Sequence, residues 1–422
     1  MNTPADSVPH NTLDASSANR MDTAAMLLSM GSAASILFSI AVSQILLGGA
    51  ILTLLLSRRR LTFPARLGLP LIGFVFWTML SVVLAPDPVS GVANLKKLFP
   101  LLIFVVVYNS VREQDHLLRL LKGVIGTTVL AGLFGFGQFA YAYWNLSRQG
   151  KPFYENYVLH QASGFMSHWL TFGAQLMLVF LLISSILFFF RPLRFQPIWW
   201  TCFVLIGLGI LASFARGIWV GAFFGAAYLL ARYRLKLLWL LPVLLIFIYL
   251  ISPSSMKRRA ESLIDLRTDS SNQSRPVMFL TGIEMIRSHP FFGLGPGRVE
   301  VEFLHYKPAS LPLPHAWYGH LHNNYTQIAA ERGLPCLFFF LWFFFEILRA
   351  TFSWGKASSA ELRTFGHAAF AITVGFLVAG LFEFNFGDSE VLMLYLFLVG
   401  AIFSWAQADR SAVYSEQHQA TG

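Results

Sequence analysis

Five of the eleven histidines fall between residues 253 and 335: His289, His305, His315, His320 and His322. Three of them cluster in His315-Ala-Trp-Tyr-Gly-His320-Leu-His322-Asn323-Asn-Tyr325. An imidazole with a pKa of about 6.5 can take a proton from an attacking hydroxyl at neutral pH. A zinc site needs three or four converging ligands, and a spacing of five then two matches no standard signature. The plain alternative is surface or capping histidines.

Two arginines stand out beside them. Arg216 sits in Ser213-Phe-Ala-Arg-Gly217, between two apolar runs with almost no loop. A charge at a membrane boundary must be paired or solvated, so this one either reaches lipid headgroups or faces a cavity as an anion site. Arg275, in Asn272-Gln-Ser-Arg-Pro276, is expected to open a helix over 276–286, whose free N–H groups attract anions. Two guanidiniums suit a diphosphate, because each can hold phosphate oxygens through paired N–H groups. Lys96 and Lys97, at the end of another apolar run, read as headgroup contacts.

Other signatures are weak. Glu300-Val-Glu302 is a close acidic pair that could bind a divalent ion. Gly293-Leu-Gly-Pro-Gly297 resembles a phosphate loop only loosely, since no helix carrying Lys-Ser or Lys-Thr follows. Cys202 and Cys336 lie in or beside apolar runs and read as small buried hydrophobes.

The elements that must position these residues are set by composition. The 422-residue chain is 55% hydrophobic and 12% charged, with a mean hydropathy of +0.59. A soluble domain carries about a quarter charged residues, so the solvent here is lipid. The net charge of +10 then sets membrane orientation and does not argue for nucleic acid. The sequence predicts an all-α polytopic membrane protein of about 12 transmembrane helices with one large periplasmic helical segment. Clear spans lie near 64–84, 95–111, 117–144, 165–190, 197–214, 217–231, 235–252, 336–350, 364–382 and 390–406. Residues 24–57 read as two short helices meeting near Ser35 to Ser39. The expected organisation is a disordered cytoplasmic tail at 1–23, helices one to nine over 24–252, a periplasmic segment at 253–335, helices ten to twelve over 336–406, and a cytoplasmic tail at 407–422.

Charge asymmetry fixes the sidedness of this scheme. With the N-terminus inside, the inner segments hold 17 Lys and Arg, the short outer loops five, and the long segment nine. Short loops obey the positive-inside rule and long ones are exempt. Both termini are therefore expected in the cytoplasm and the histidine cluster outside.

The pattern resembles the O-antigen ligase family of lipopolysaccharide assembly. The resemblance rests on about twelve spans, one long outer segment and three motifs in order: Ser213-Phe-Ala-Arg216-Gly217; Arg275 with Ile286-Arg-Ser-His-Pro-Phe-Phe-Gly-Leu-Gly-Pro-Gly297; and His320-Leu-His322-Asn-Asn-Tyr-Thr-Gln-Ile-Ala-Ala-Glu331-Arg-Gly333. It implies a C-class glycosyltransferase of the bacterial inner membrane with a periplasmic site. Such an enzyme moves a glycan from undecaprenyl diphosphate to a sugar of the lipid A–core, with inversion and without metal or cofactor. By position, His322 becomes the essential histidine, and Arg216 and Arg275 the diphosphate ligands. Supporting places fall to His320 and Asn323 and, where the pattern is less clear, to Lys96, Arg298 and Glu383.

Three rivals remain. An O-antigen polymerase uses the same donor, but usually shows two sizeable outer loops, and the second here (145–164) is short. A protein O-oligosaccharyltransferase often carries a C-terminal periplasmic domain. A lipid-linked glycan transporter would show charges or helix breaks at mid-membrane in paired halves, and no half-repeat is visible.

Overall fold

A computed structural model describes residues 11–57, 60–111, 113–157, 161–190, 196–262, 270–314 and 319–419. The described residues form helices and no strand. The chain opens with α1 (Asn11–Ser35) and α2 (Ile40–Leu56), joined where Ser39 caps α2 through its side chain. The helix α1 starts well inside the stretch expected as a disordered tail. No glycine or proline interrupts residues 11–30, so a helix favoured by the apolar run can extend backwards.

Next come α3 (Ala65–Leu84), the short α4 (Pro88–Val92), and a 3-10 stretch over Leu95–Leu101 that runs into α5 (Leu102–Ser110). Then follow α6 (Gln114–Arg148), α7 (Phe153–Tyr157), α8 (Trp169–Phe189), α9 (Gln196–Ala212) and α10 (Arg216–Tyr233). A 3-10 turn, Leu235–Trp239, leads into α11 (Leu240–Ile251). The polar segment contributes α12 (Ser254–Glu261), α13 (Ser270–Ser288) and α14 (Val299–Tyr306). The chain ends with α15 (Asn324–Trp354), α16 (Ala360–Ala379) and α17 (Ser389–Gln419). The last helix thus continues through residues 407–419, expected as a tail.

Six of these helices are long and apolar enough to cross a membrane: α3, α6, α8, α15, α16 and the Ser389–Asp409 part of α17. Three further apolar stretches, Ile40–Leu56, Gln196–Ala212 and Leu235–Ile251, are shorter. The expected span at 95–111 is divided between a 3-10 and an α-helical piece, with Pro100 in the first. Proline lacks the N–H that continues an α-helix.

The core is a packed set of α8, α10, α16 and α17. Gly217, Gly221 and Gly225 lie four residues apart on one face of α10. A Cβ at Gly221 would come within 2.6 Å of the Gly375 carbonyl of α16, so the two backbones touch as small-residue seams allow. This seam holds the start of α10 against the end of α16.

The polar segment is clamped to the bundle at a kink in α15. Gly333 has φ 82° and ψ 167°, which separates Asn324–Arg332 from the apolar half. The glycine-rich loop wraps this kink: the N–H groups of Leu294 and Gly295 donate to the carbonyls of Ala330 and Glu331, both at 2.9 Å. The Gly297 N–H donates to Glu331 Oε1 (2.9 Å), and the Leu334 N–H to the Pro290 carbonyl (2.7 Å). The loop is therefore a clamp on its own chain, and its N–H groups are not free to cradle phosphate.

Candidate active site

The site is built by the two asparagines that follow His322. Asn323 caps α15, its Oδ1 accepting the N–H groups of Tyr325 (2.9 Å) and Thr326 (3.0 Å). Its Nδ2 donates to the Leu381 carbonyl at 2.9 Å. The Asn324 N–H donates to the Gly380 carbonyl at 2.7 Å, and its buried side chain bonds Asn385 Oδ1 (2.5 Å) and the Phe386 N–H (3.0 Å). Together they lace the turn between α16 and α17, residues 380–388, onto the start of α15. That lacing delivers Glu383 to His322.

Glu383 is 4% exposed and bridges His322 and Arg275. Its Oε2 lies 2.9 Å from His322 Nδ1, and its Oε1 accepts from Arg275 Nη2 at 2.6 Å. Arg275 also donates to the Phe382 carbonyl and stays 28% exposed at its side chain. Burial alone would raise the Glu383 carboxyl, but Arg275 and His322 beside it override that and hold it at about 2. An ionised carboxylate accepts only, so Glu383 takes its hydrogen bond from the Nδ1–H of His322.

Backbone strain marks the same residue. His322 has φ 48°, a left-handed conformation rare for a side-chain-bearing residue and typical of functional positions. Its N–H donates to His320 Nδ1 at 3.1 Å, and the two rings lie 4.0 Å apart. Burial, then the neighbouring His322, push His320 down to about 3, so it stays neutral with its proton on Nε2.

Arg216 reaches the region from the other side. It opens α10, is buried, and its Nη1 donates to the Ser262 carbonyl (2.8 Å) and hydroxyl (2.7 Å). The same carbonyl accepts from Asn272 Nδ2 (2.6 Å), one turn ahead of Arg275 on α13. Next along α10, Gly217 packs so tightly on Phe382 that a Cβ would lie 2.7 Å from that of Phe382. Arg275 and His322 thus meet at one turn, Phe382–Glu383, against which Gly217 also packs, while the Arg216 guanidinium is held by Ser262.

Some expectations change. Arg275 does not open a helix: α13 begins at Ser270, because Asn272 anchors its first turn to Ser262, and Pro276 is carried inside. Arg298 lies outside the cluster, tying Asp87 (3.0 Å) to Glu302 (2.6 Å) and so holding α14 on the loop after α3. The Glu302 carboxylate is therefore engaged. Lys96 is exposed on the 3-10 stretch, and among the described residues no hydrogen bond or ion pair joins it to His322 or Glu383. Asn323 acts as a cap and clip. His289 meets Tyr306 edge-on, and His305 is exposed. His315, Trp317 and Tyr318 lie outside the described residues.

Three participants escape a reading of the sequence. Arg259, buried, donates from Nε to the Phe214 carbonyl at 3.0 Å, close to Arg216; its signal is the basic run Lys257-Arg-Arg259. His168 caps α8 by accepting the Leu170 N–H (3.2 Å) and feels the charges of Glu383 and His322, with burial lowering its pKa. Asp388 closes the same turn: its Oδ1 accepts the N–H groups of Glu390 and Val391, and Thr171 donates to its Oδ2 at 2.5 Å.

Burial, then neighbouring Glu390, push Asp388 up to about 7. A carboxyl whose folded pKa is raised contributes stability fully at low pH and loses it as pH rises through the raised value. Thermal stability in detergent is therefore expected to fall between about pH 4 and about 7, and Asp388→Asn to flatten that slope. An unchanged slope in the variant would assign the dependence to other groups.

The fold is that of a multi-pass helical membrane protein, with a cluster of histidine, arginine and glutamate side chains where α15 begins and α16 ends. Residues 201–341 match the family model described as O-antigen ligase (Wzy_C). The family is associated with glycosyl transfer in the assembly of O-antigen and related glycans. The matched residues include Arg216, Arg275, His320, His322 and Asn323, and end before Glu383. No curated protein matches the chain.

Proposed function

We propose that the protein is an O-antigen ligase, transferring glycan from undecaprenyl diphosphate to a hydroxyl of the lipid A–core by inversion on the periplasmic face of the bacterial inner membrane. The observation that carries this reading is the Glu383 carboxylate shared by His322 and Arg275. It couples a base to a leaving-group cation in one turn.

The acceptor O–H gives its proton to His322 Nε2 as its oxygen attacks the anomeric carbon. On the opposite face the bond from that carbon to the diphosphate oxygen breaks, and the electron pair leaves with the diphosphate. Glu383, fixed on Nδ1, stabilises the imidazolium that forms, as a carboxylate does behind a catalytic histidine elsewhere. Arg275 and Arg216 offset the charge developing on the leaving diphosphate.

With guanidiniums in that role, transfer is expected to persist in excess EDTA; loss of activity restored by Mg²⁺ would contradict it. The acceptor is tested by incubating the purified protein with lipid-linked donor, with and without lipid A–core. Glycan laddering that requires lipid A–core supports ligation. Chain elongation from donor alone would make the protein a polymerase, a reading that uses the same donor and the same residues.

A further inference from the structure

We propose that a groove at the opposite end of the bundle binds the headgroup of an anionic phospholipid. The groove lies between the start of α3 and the latter part of α15, which run antiparallel, and holds about 510 Å³ of open space. Its walls are Ala65, Arg66, Leu69, Trp342, Phe345, Glu346 and Arg349. The far end of α3 meets the glycine-rich loop, where Ser81 donates to the Phe292 carbonyl at 2.6 Å, and the far end of α15 begins at Asn324, two residues after His322. The groove is thus remote from His322.

The chemistry of the walls selects the ligand. Arg349 is held by Glu346 through Nη2 (2.6 Å) and Nε (3.0 Å), which neutralises the one acid in the groove. Arg349 remains 43% exposed at its side chain against 14% for Glu346, so its outer edge is presented while the carboxylate is covered. Arg66 is exposed and adds a positive charge that no acid in the groove balances. It sits in the first turn of α3, where Pro64 supplies no side-chain cap.

Guanidinium forks match phosphate oxygens. Trp342 and Phe345 give the aromatic wall found where protein meets headgroups. Away from the groove, exposed apolar side chains continue along both helices: Ile72 and Phe76 on α3, and Phe338 and Leu341 on α15. A phosphodiester carrying acyl chains fits both halves of this surface, the phosphate on the arginines and the tails on the apolar stripe. Basic pockets between membrane helices bind acidic headgroups in this way.

The test uses the full chain purified in detergent and native mass spectrometry of retained lipid. Three probes are added separately: dioleoyl phosphatidylglycerol, dioleoyl phosphatidylcholine, and inorganic phosphate as competitor. The expected result is preferential retention of phosphatidylglycerol, weakened about tenfold in Arg66→Gln/Arg349→Gln and unaffected by phosphate. Arg66→Glu alone is expected to weaken it further than Arg66→Gln and serves if the double variant folds poorly. Equal retention of the two lipids, undiminished binding by the variants, or displacement by millimolar phosphate would each overturn the assignment.

Discussion

Replacing His322 by alanine is expected to lower the rate of glycan transfer by about 10²–10⁴, the range in which loss of a positioned general base falls. The effect should appear in kcat more than in KM. The base acts on a hydroxyl whose proton moves only in the transition state, and the donor diphosphate is held by other side chains. Alanine at this position has a second consequence: the backbone has φ 48°, where alanine is strained. His322→Asn removes the base while keeping a residue that tolerates the left-handed region, and its amide can still meet Glu383. Both variants are expected to be equally slow if the missing group is the base. If His322→Asn ladders at the wild-type rate while His322→Ala does not, the position matters for folding of the turn, and the base lies elsewhere.

Much of this site is legible in the order of the amino acids, and the part that is not has a physical reason. The histidine cluster offers a possible base through residue types, and the choice of His322 within it rests on the resemblance to the O-antigen ligase family. The sequence does not show that the two asparagines are the lacing that holds residues 380–388 in place. Nothing about two amides reveals a partner some sixty positions away. Glu383 is visible as an acid beside the end of an apolar run, but its engagement with His322 and Arg275 depends on where three separate helices end. Arg298 shows the reverse case. The resemblance gives it a supporting place, yet its guanidinium bonds Asp87 and Glu302. The glycine loop, only loosely like a phosphate loop in sequence, bonds its N–H groups to the neighbouring helix kink. Hydropathy reveals that a helix exists, whereas the helix starts at Asn11 and Ser270 escape it, because polar turns add to a helix without an apolar signal.

The second large effect is expected at Glu383. Glu383→Gln keeps the shape and a hydrogen bond to His322, but a neutral amide no longer dictates which imidazole nitrogen carries the proton. It also leaves no charge to stabilise the imidazolium that forms as the acceptor hydroxyl is deprotonated. Transfer should fall by about 10²–10⁴, approaching the His322 variants, because removing the orienting carboxylate behind a catalytic histidine has an effect of that size. The double variant Glu383→Gln/His322→Ala should be little slower than His322→Ala alone, since both residues serve one proton transfer. A stability readout separates this from simple damage to the turn. The folded-state pKa of Glu383 is depressed to about 2, so its contribution is present above the ordinary glutamate value of 4.5 and is lost as pH falls from there toward 2. Wild-type protein is therefore expected to lose stability across that acid window and Glu383→Gln to lose less, with the neutral-pH difference between them reflecting the pairing with Arg275 and His322. Multiplicative losses in the double variant would show that Glu383 and His322 act independently, and the shared-carboxylate mechanism would have to be abandoned.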